Sequence, residues 1–201
     1  MRGMRRRLLL PLASCLCAPL FGSILPAPAA AQAPPHKVTA SVEAGARIAS
    51  LRDETKGLWG GAALLHIHPR LSLGGGGWIL HSRSAIQVAS PGSDLEMALG
   101  YGGVTADLRI VSGERVALDL RVLAGAGNVK IIVPVVGSEI GADNFGILEP
   151  ELGLTLRLRP DLGVKLTAAY MHSFGVDDVP PVLPEDLRAY SLGLSLILGR
   201  R

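Results

Sequence analysis

"LTLRLRPDLGVKLTAAY", residues 154–170, alternates with period two on both sides of a Pro-Asp pair. Leu154, Leu156 and Leu158 share one phase, and Thr155, Arg157 and Arg159 share the other. After Pro160-Asp161 the pattern resumes, with Leu162, Val164, Leu166 and Ala168 against Gly163, Lys165, Thr167 and Ala169. Successive side chains on a strand point to opposite faces. The stretch therefore predicts two strands, each apolar on one face and polar on the other, joined by a tight turn. The leucine face must look at a protein core or at lipid, and that choice decides the fold.

Working outward, the same alternation recurs along the chain. Val38, Ala40, Val42, Ala44, Ala46 and Ile48 oppose Thr39, Ser41, Glu43, Gly45 and Arg47. A polar loop with Arg52, Asp53, Glu54 and Lys56 leads to a second strand over about 58–68, which stops at Pro69-Arg70. A third runs from Leu71 across Gly74–Gly77 towards Leu80, followed by a polar loop over 81–94. The fourth carries Leu95, Met97, Leu99 and Tyr101, then Val104, Ala106, Leu108 and Ile110 on the opposite phase. The change of phase at Gly102-Gly103 reads as a bulge or kink. Beyond the turn at 112–115, a fifth strand sets Val116, Leu118, Leu120 and Val122 against Asp119 and Arg121. A long segment, 128–144, precedes the sixth strand over about 147–158. Pro160-Asp161 turns into the seventh, which ends near His172; a loop over 175–187 then leads to the eighth, with Tyr190, Leu192, Leu194, Leu196 and Leu198.

The N-terminus has a different character. Arg2, Arg5, Arg6 and Arg7 precede an apolar stretch to about Leu25 and the small-residue run 27–33. This reads as a secretory signal peptide over 1–31, cleaved before Gln32 and leaving residues 32–201 as one barrel domain. The box Leu12-Ala13-Ser14-Cys15 offers lipoprotein processing as a competing reading. The formal charge of +3 for all 201 residues becomes −1 once these four arginines are removed. Attraction to a polyanion then loses its support, so no nucleic-acid partner is expected. Both cysteines, Cys15 and Cys17, lie in this leader, which leaves the mature chain no disulfide, thiolate nucleophile or cysteine metal site.

Eight strands of about 10 to 12 residues suit tilted crossings of a hydrocarbon layer. Their connections alternate long and short, which places the long loops at one end and the short turns at the other. An even strand number lets the first strand close on the last, leaving no edge. The expected fold is an all-β, eight-stranded, up-and-down antiparallel transmembrane β-barrel. In this pattern the chain resembles the small eight-stranded outer-membrane barrels of the OmpA, OmpX and OmpW kind, within the porin-like proteins. The resemblance covers essentially all of the mature sequence and departs from the family at the end. Such barrels often finish on an aromatic residue, whereas "YSLGLSLILGRR" ends in Gly199-Arg200-Arg201. The resemblance implies an outer-membrane location with short turns in the periplasm, and narrow-pore or small-hydrophobe transport in some relatives.

A soluble lipocalin-like carrier in the periplasm would show the same alternation turned inside out. The polar face favours the membrane barrel. It carries Glu43, Glu96, Asp107, Asp119, Glu149 and Glu151 against Arg47, Arg109, Arg121, Arg157 and Lys165. Near balance suits a closed lumen, because an unpaired charge away from water is very costly. The remainder of that face is small, as a narrow lumen requires, and Tyr101, Tyr170 and Tyr190 near strand ends fit an interfacial girdle.

Few groups suggest chemistry. His66 and His68, two apart on one strand, could share a metal, but no third ligand is evident. Gly74–Gly77 lacks the Lys-Ser/Thr of a phosphate loop and instead permits curvature or close packing of Trp78. His172 and Ser173, with Glu185 across the last loop, carry the residue types of acyl hydrolysis. They are loosely similar to outer-membrane lipid A deacylases, whose His and Ser are separated by one residue and followed by Asn. Adjacency here would point the two side chains to opposite faces. "VKIIVPVVGSEIGADN", residues 129–144, is apolar for a loop and would either extend its flanking strands or form a contact surface, with Pro134 opposing a regular central strand.

The expectation is therefore a monomeric outer-membrane barrel with a side-chain-filled lumen, at most a narrow pore, and no cofactor. Its contacts are outer-membrane lipid and, through the outer loops, an extracellular or envelope partner. The enzymatic alternative is a lipid A acyl hydrolase.

Overall fold

The computed structural model describes residues 38–51, 54–81, 84–87, 94–133, 138–175 and 187–199. The expected leader (residues 1–31), Glu185 and the terminal Arg200-Arg201 lie outside the described residues. The strands are β1 Thr39–Leu51, β2 Glu54–His68, β3 Leu71–Leu80, β4 Ser84–Gln87, β5 Asp94–Ser112, β6 Val116–Val133, β7 Ser138–Arg159, β8 Leu162–Phe174 and β9 Ala189–Gly199. All pairings between them are antiparallel.

Eight of these strands close into a ring. Each pairs with its sequence neighbours, β3 pairs directly with β5, and β9 returns to pair with β1. The short β4 pairs with β5 at Met97–Asp94, just beyond the last β3 partner Gly100, and so continues the line of β3 after a break. Ring closure gives each barrel strand a partner on both sides, which is how backbone N–H and C=O groups are satisfied where no water is present.

The alternation sorts the side chains as the pattern requires. Leu154, Leu156, Leu166, Leu192, Leu194, Leu196 and Leu198 lie on the outer face, each about half exposed. On the opposite phase Thr155, Lys165, Thr167, Glu43 and Arg47 are buried. An apolar exterior around a charged interior is the arrangement of a transmembrane barrel and the reverse of a soluble carrier.

Three expectations change in the folded chain, and one open alternative closes. The first loop is a tight connection, because Glu54, Thr55 and Lys56 pair with Leu51, Ser50 and Ala49. Strands β5, β6 and β7 run to 19, 18 and 22 residues, about twice what a tilted crossing needs. Residues 129–133 and 138–144 thus extend the paired strands, the first of the two readings for that segment. Finally, no bulge occurs at Gly102-Gly103, whose registers with β3 and β6 are continuous. From Met97 to Asp107 the odd-numbered residues of β5 keep one phase, so Met97, Leu99 and Tyr101 enter the lumen with Thr105 and Asp107. Register shifts fall instead near the short turns, between Arg109 and Val111 on β5 and between Arg157 and Arg159 on β7, and at the loop end, where the β7 partners of Ile131 and Ile132 skip from Gly141 to Glu139.

The Gly74–Gly77 run also continues in register. Room for the Trp78 ring is made across the strand pair by Gly60, where a Cβ would come within 2.7 Å of the indole. A large inward ring needs such a gap, since an eight-stranded lumen is only wide enough to be filled by side chains.

Candidate functional site: the filled lumen

The interior has two layers. Towards the loop end it is a hydrocarbon core of Leu51, Leu58, Met97, Leu99, Val129, Ile131, Phe145, Ile147 and Met171, with Leu187 and Ala189. Towards the turn end it is an ion-pair network contributed by β1, β5, β6, β7 and β8. Trp78, Tyr101 and Arg47 form the boundary. The Arg47 guanidinium stacks 3.7 Å from the Trp78 ring centroid, and Tyr101 Oη donates to Glu149 Oε2 at 2.6 Å. Each of these side chains has an apolar or planar part for the upper layer and a polar group for the lower one.

Below the boundary the charges are shared rather than paired one to one. Arg47 Nη1 donates to Glu149 Oε1 at 2.6 Å and its Nη2 to Glu151 Oε2. Lys165 Nζ donates to the other Glu151 oxygen at 2.5 Å and stands 3.8 Å from Glu43. Arg121 bonds Glu43 at 2.7 Å and Asp107 at 3.0 Å, and lies 3.6 Å from Glu151. Nearer the turns, Asp119 accepts from Arg109 Nε at 3.2 Å and from Thr155 Oγ1 at 3.1 Å. Burial of this many charges is tolerable only because they are shared among donors and acceptors from several strands. Lys165 is wholly buried, and it reaches its partners by lying over Gly153, where a Cβ would collide with its Cε.

Two residues of the expected charge set take other places. Glu96 lies on the phase opposite the buried Met97, near the β4 pairing, and so is outside the lumen network. The physical reason is the unbroken phase of β5 described above. Arg157 does face the lumen, but at its mouth, where it donates to the carbonyls of Gly113 and Glu114 at 3.2 and 3.4 Å. Glu43, Asp107, Asp119, Glu149 and Glu151 then face Arg47, Arg109, Arg121, Arg157 and Lys165, five acids to five bases. Tyr101 leaves the expected girdle for the lumen. The outer aromatics are Tyr170 and Tyr190, whose rings stack at 4.8 Å, together with Trp59 and Phe174.

The histidines are not brought together. His66 is buried between Ser72 Oγ at 2.6 Å and Ser41 Oγ at 2.9 Å, while His68 is exposed at the turn, with its Nδ1 accepting from the Arg70 backbone N–H. A register shift with β3 separates them. No group of three or more His, Cys, Asp or Glu side chains gathers for a metal among the described residues.

The hydrolytic constellation is likewise split. Ser173 is fully buried in the lumen, whereas His172 sits on the outer face between Tyr170 and Phe174, each ring centroid 6.4 Å away. Nucleophile and base would have to meet through the barrel wall.

Between Arg47, Trp78, Thr105, Arg121 and Glu149 the interior holds a void of about 10 Å³, room for one water. The upper layer was hidden in the sequence because Ala, Gly and Leu occupy both phases there, which blurs the alternation that is clean near the turns.

Fold and interior together define an eight-stranded transmembrane β-barrel with a filled lumen. Solved structures share this barrel fold at low sequence identity. The chain is similar to Ail, the attachment invasion locus protein of Yersinia pestis, at 14% identity over 82% of this chain and 99% of that one, with a TM-score of 0.54. Neisserial surface protein A matches at 13% identity over 80% and 96%, with a TM-score of 0.56. A major outer membrane protein from Thermus thermophilus matches at 13% identity over 82% and 100%, with a TM-score of 0.50. No protein-family model and no curated protein matches the sequence. At these identities the likeness concerns the fold.

Proposed function

We propose that this chain is an integral outer-membrane protein, exported by a leader cleaved near residue 31, that does not conduct solutes and acts through its loop end. The observation that carries this reading is the lumen: charge network, Trp78–Tyr101 boundary and hydrocarbon core follow one another with a 10 Å³ void between them. A barrel so filled is a rigid mount. What it mounts is the sheet formed where β5, β6 and β7 outrun their neighbours. There Ser138–Phe145 pairs with β6, while β8 pairing begins only at Gly146. Among the described residues that stretch is a sheet edge, which offers backbone hydrogen bonds to an envelope or extracellular partner. The role is non-enzymatic, as the placement of His172 and Ser173 on opposite faces supports.

The test is fractionation of the expressed protein. It is expected in the outer membrane, with a mobility that differs between boiled and unboiled gel samples, and with the lipid A mass spectrum of the host unchanged. Release as a soluble periplasmic protein on osmotic shock would overturn the membrane reading. Deacylated lipid A that reverts with His172→Ala would overturn the non-enzymatic one.

A further inference from the structure

At the turn end the mouth of the lumen widens into a cleft, bordered on its inner side by the buried Thr155 and Ile197. Its volume is about 440 Å³, and its lining includes Glu114, Arg115, Arg157, Arg159, Leu158 and Leu162. Three arginines and one glutamate therefore border it. Arg157 is positioned by the turn carbonyls of Gly113 and Glu114 and by Ser112 Oγ at 3.5 Å. Arg115 and Arg159 are exposed and enter no ion pair among the described residues.

Two properties of this cleft select its occupant. Guanidinium groups recognise phosphate through paired, charge-assisted N–H donors, so the basic side calls for an anionic oxygen group. The other side is apolar and continuous with the outer wall: Leu158 is half exposed on the leucine face that follows Leu154 and Leu156. A free anion would leave that wall unused, and an acyl chain alone would leave the arginines unused. The space also exceeds that of a bare phosphate and falls in the range of organic ligand sites.

We propose that this cleft binds an anionic phospholipid from the leaflet around the short turns. The phosphate sits against Arg115, Arg157 and Arg159, and the lipid body lies along Leu158 and Leu162. The inference rests on the membrane placement proposed above and adds a headgroup-selective site to it. Such a contact would fix the height of the barrel by holding the β7–β8 turn at the headgroup level, as basic residues near a bilayer surface do.

The test uses the full chain refolded in a zwitterionic detergent, with short-chain phosphatidylglycerol or phosphatidylcholine added and retained lipid counted by native mass spectrometry. Phosphatidylglycerol is expected to be retained preferentially. Arg115→Gln with Arg159→Gln should reduce that preference by about thirtyfold, at about fivefold for each basic residue near the bilayer surface. Arg70→Gln, at a different turn, should leave it unchanged. The boiled-versus-unboiled gel shift verifies folding of each variant, and Arg115→Lys with Arg159→Lys serves if the Gln pair does not fold. The Lys pair is expected to keep a reduced preference. Equal retention of both lipids by the unaltered chain would overturn the proposal. So would an equal loss with Arg70→Gln, which would mark a diffuse basic rim. Displacement by inorganic phosphate or glycerol 3-phosphate as effective as by the lipid would overturn it too, assigning the cleft to a soluble anion instead. Because the assay needs no cell fraction, its failure leaves the outer-membrane reading standing, and failure of fractionation leaves the binding result intact.

Discussion

At the scale of single residues, Lys165 and Tyr101 carry the most information. Lys165 has no exposed surface and holds Glu151 and Glu43 together from β8. Replacing it by Met keeps most of the volume but strips a cation from a buried cluster in which the carboxylates remain. Breaking a buried pair in this way costs about 3–5 kcal/mol. Tyr101→Phe removes only the hydrogen bond to Glu149, and a bond to a charged acceptor is worth about 1.5–3 kcal/mol. Urea unfolding of the barrel refolded into lipid vesicles should rank the two variants in that order. Equal, negligible shifts would mean that water enters the network freely. Glu96 shows the complementary point: its residue type suggested the lumen, and only the phase of its strand removes it.

At the scale of the element, β7 joins every part of the molecule. Its outer residues Leu148, Leu152, Leu154, Leu156 and Leu158 meet lipid, and its inner residues Phe145, Ile147, Glu149, Glu151 and Thr155 pass from hydrocarbon core to ion pairs. The strand then continues past the end of β8 as the sheet edge at the loop end. A charge placed on the lipid face costs about 2–4 kcal/mol near the bilayer midplane and about 0–1 near its boundary. Leu154→Arg is therefore expected to destabilise the vesicle-embedded barrel several-fold more than Leu158→Arg, which lies beside the turn. A soluble carrier would tolerate both equally, so the same unfolding series reads the orientation of the leucines directly.

At the scale of the whole molecule, the two interior layers act in series. A solute entering from the loop end meets hydrocarbon, then the Trp78–Arg47 stack, then the ion-pair network, where the void beside Arg47 and Arg121 is about 10 Å³. Protein reconstituted in planar bilayers should thus show no single-channel steps in molar salt. Paired replacement of Arg47 and Glu149 by Ala should be the first variant to leak, because it opens the boundary layer while removing one charge of each sign. Steps from the unaltered protein would show that the network opens in the bilayer, and the closed-mount reading would fall.

The alternation around Pro160-Asp161, the strand count and the charge balance of one face were enough to specify a closed barrel with polar residues inside. That information is local: period two assigns faces, short turns assign neighbours, and charges in a narrow lumen must nearly cancel. Glu43, Arg47, Asp107, Arg121, Glu149, Glu151 and Lys165 were therefore legible as inward residues before any partner was known. The hydrocarbon layer above them was not, since Met97, Leu99 and Phe145 become inward only when register is carried without a slip through the glycines. Adjacency alone set His172 and Ser173 on opposite faces, but which of the two stands inside follows from the phase of β8 in the closed ring. Nor could spacing reveal that three arginines from two turns share one cleft. Those facts depend on which strands lie side by side around the ring, and strand adjacency across a closed sheet is a property of the tertiary structure.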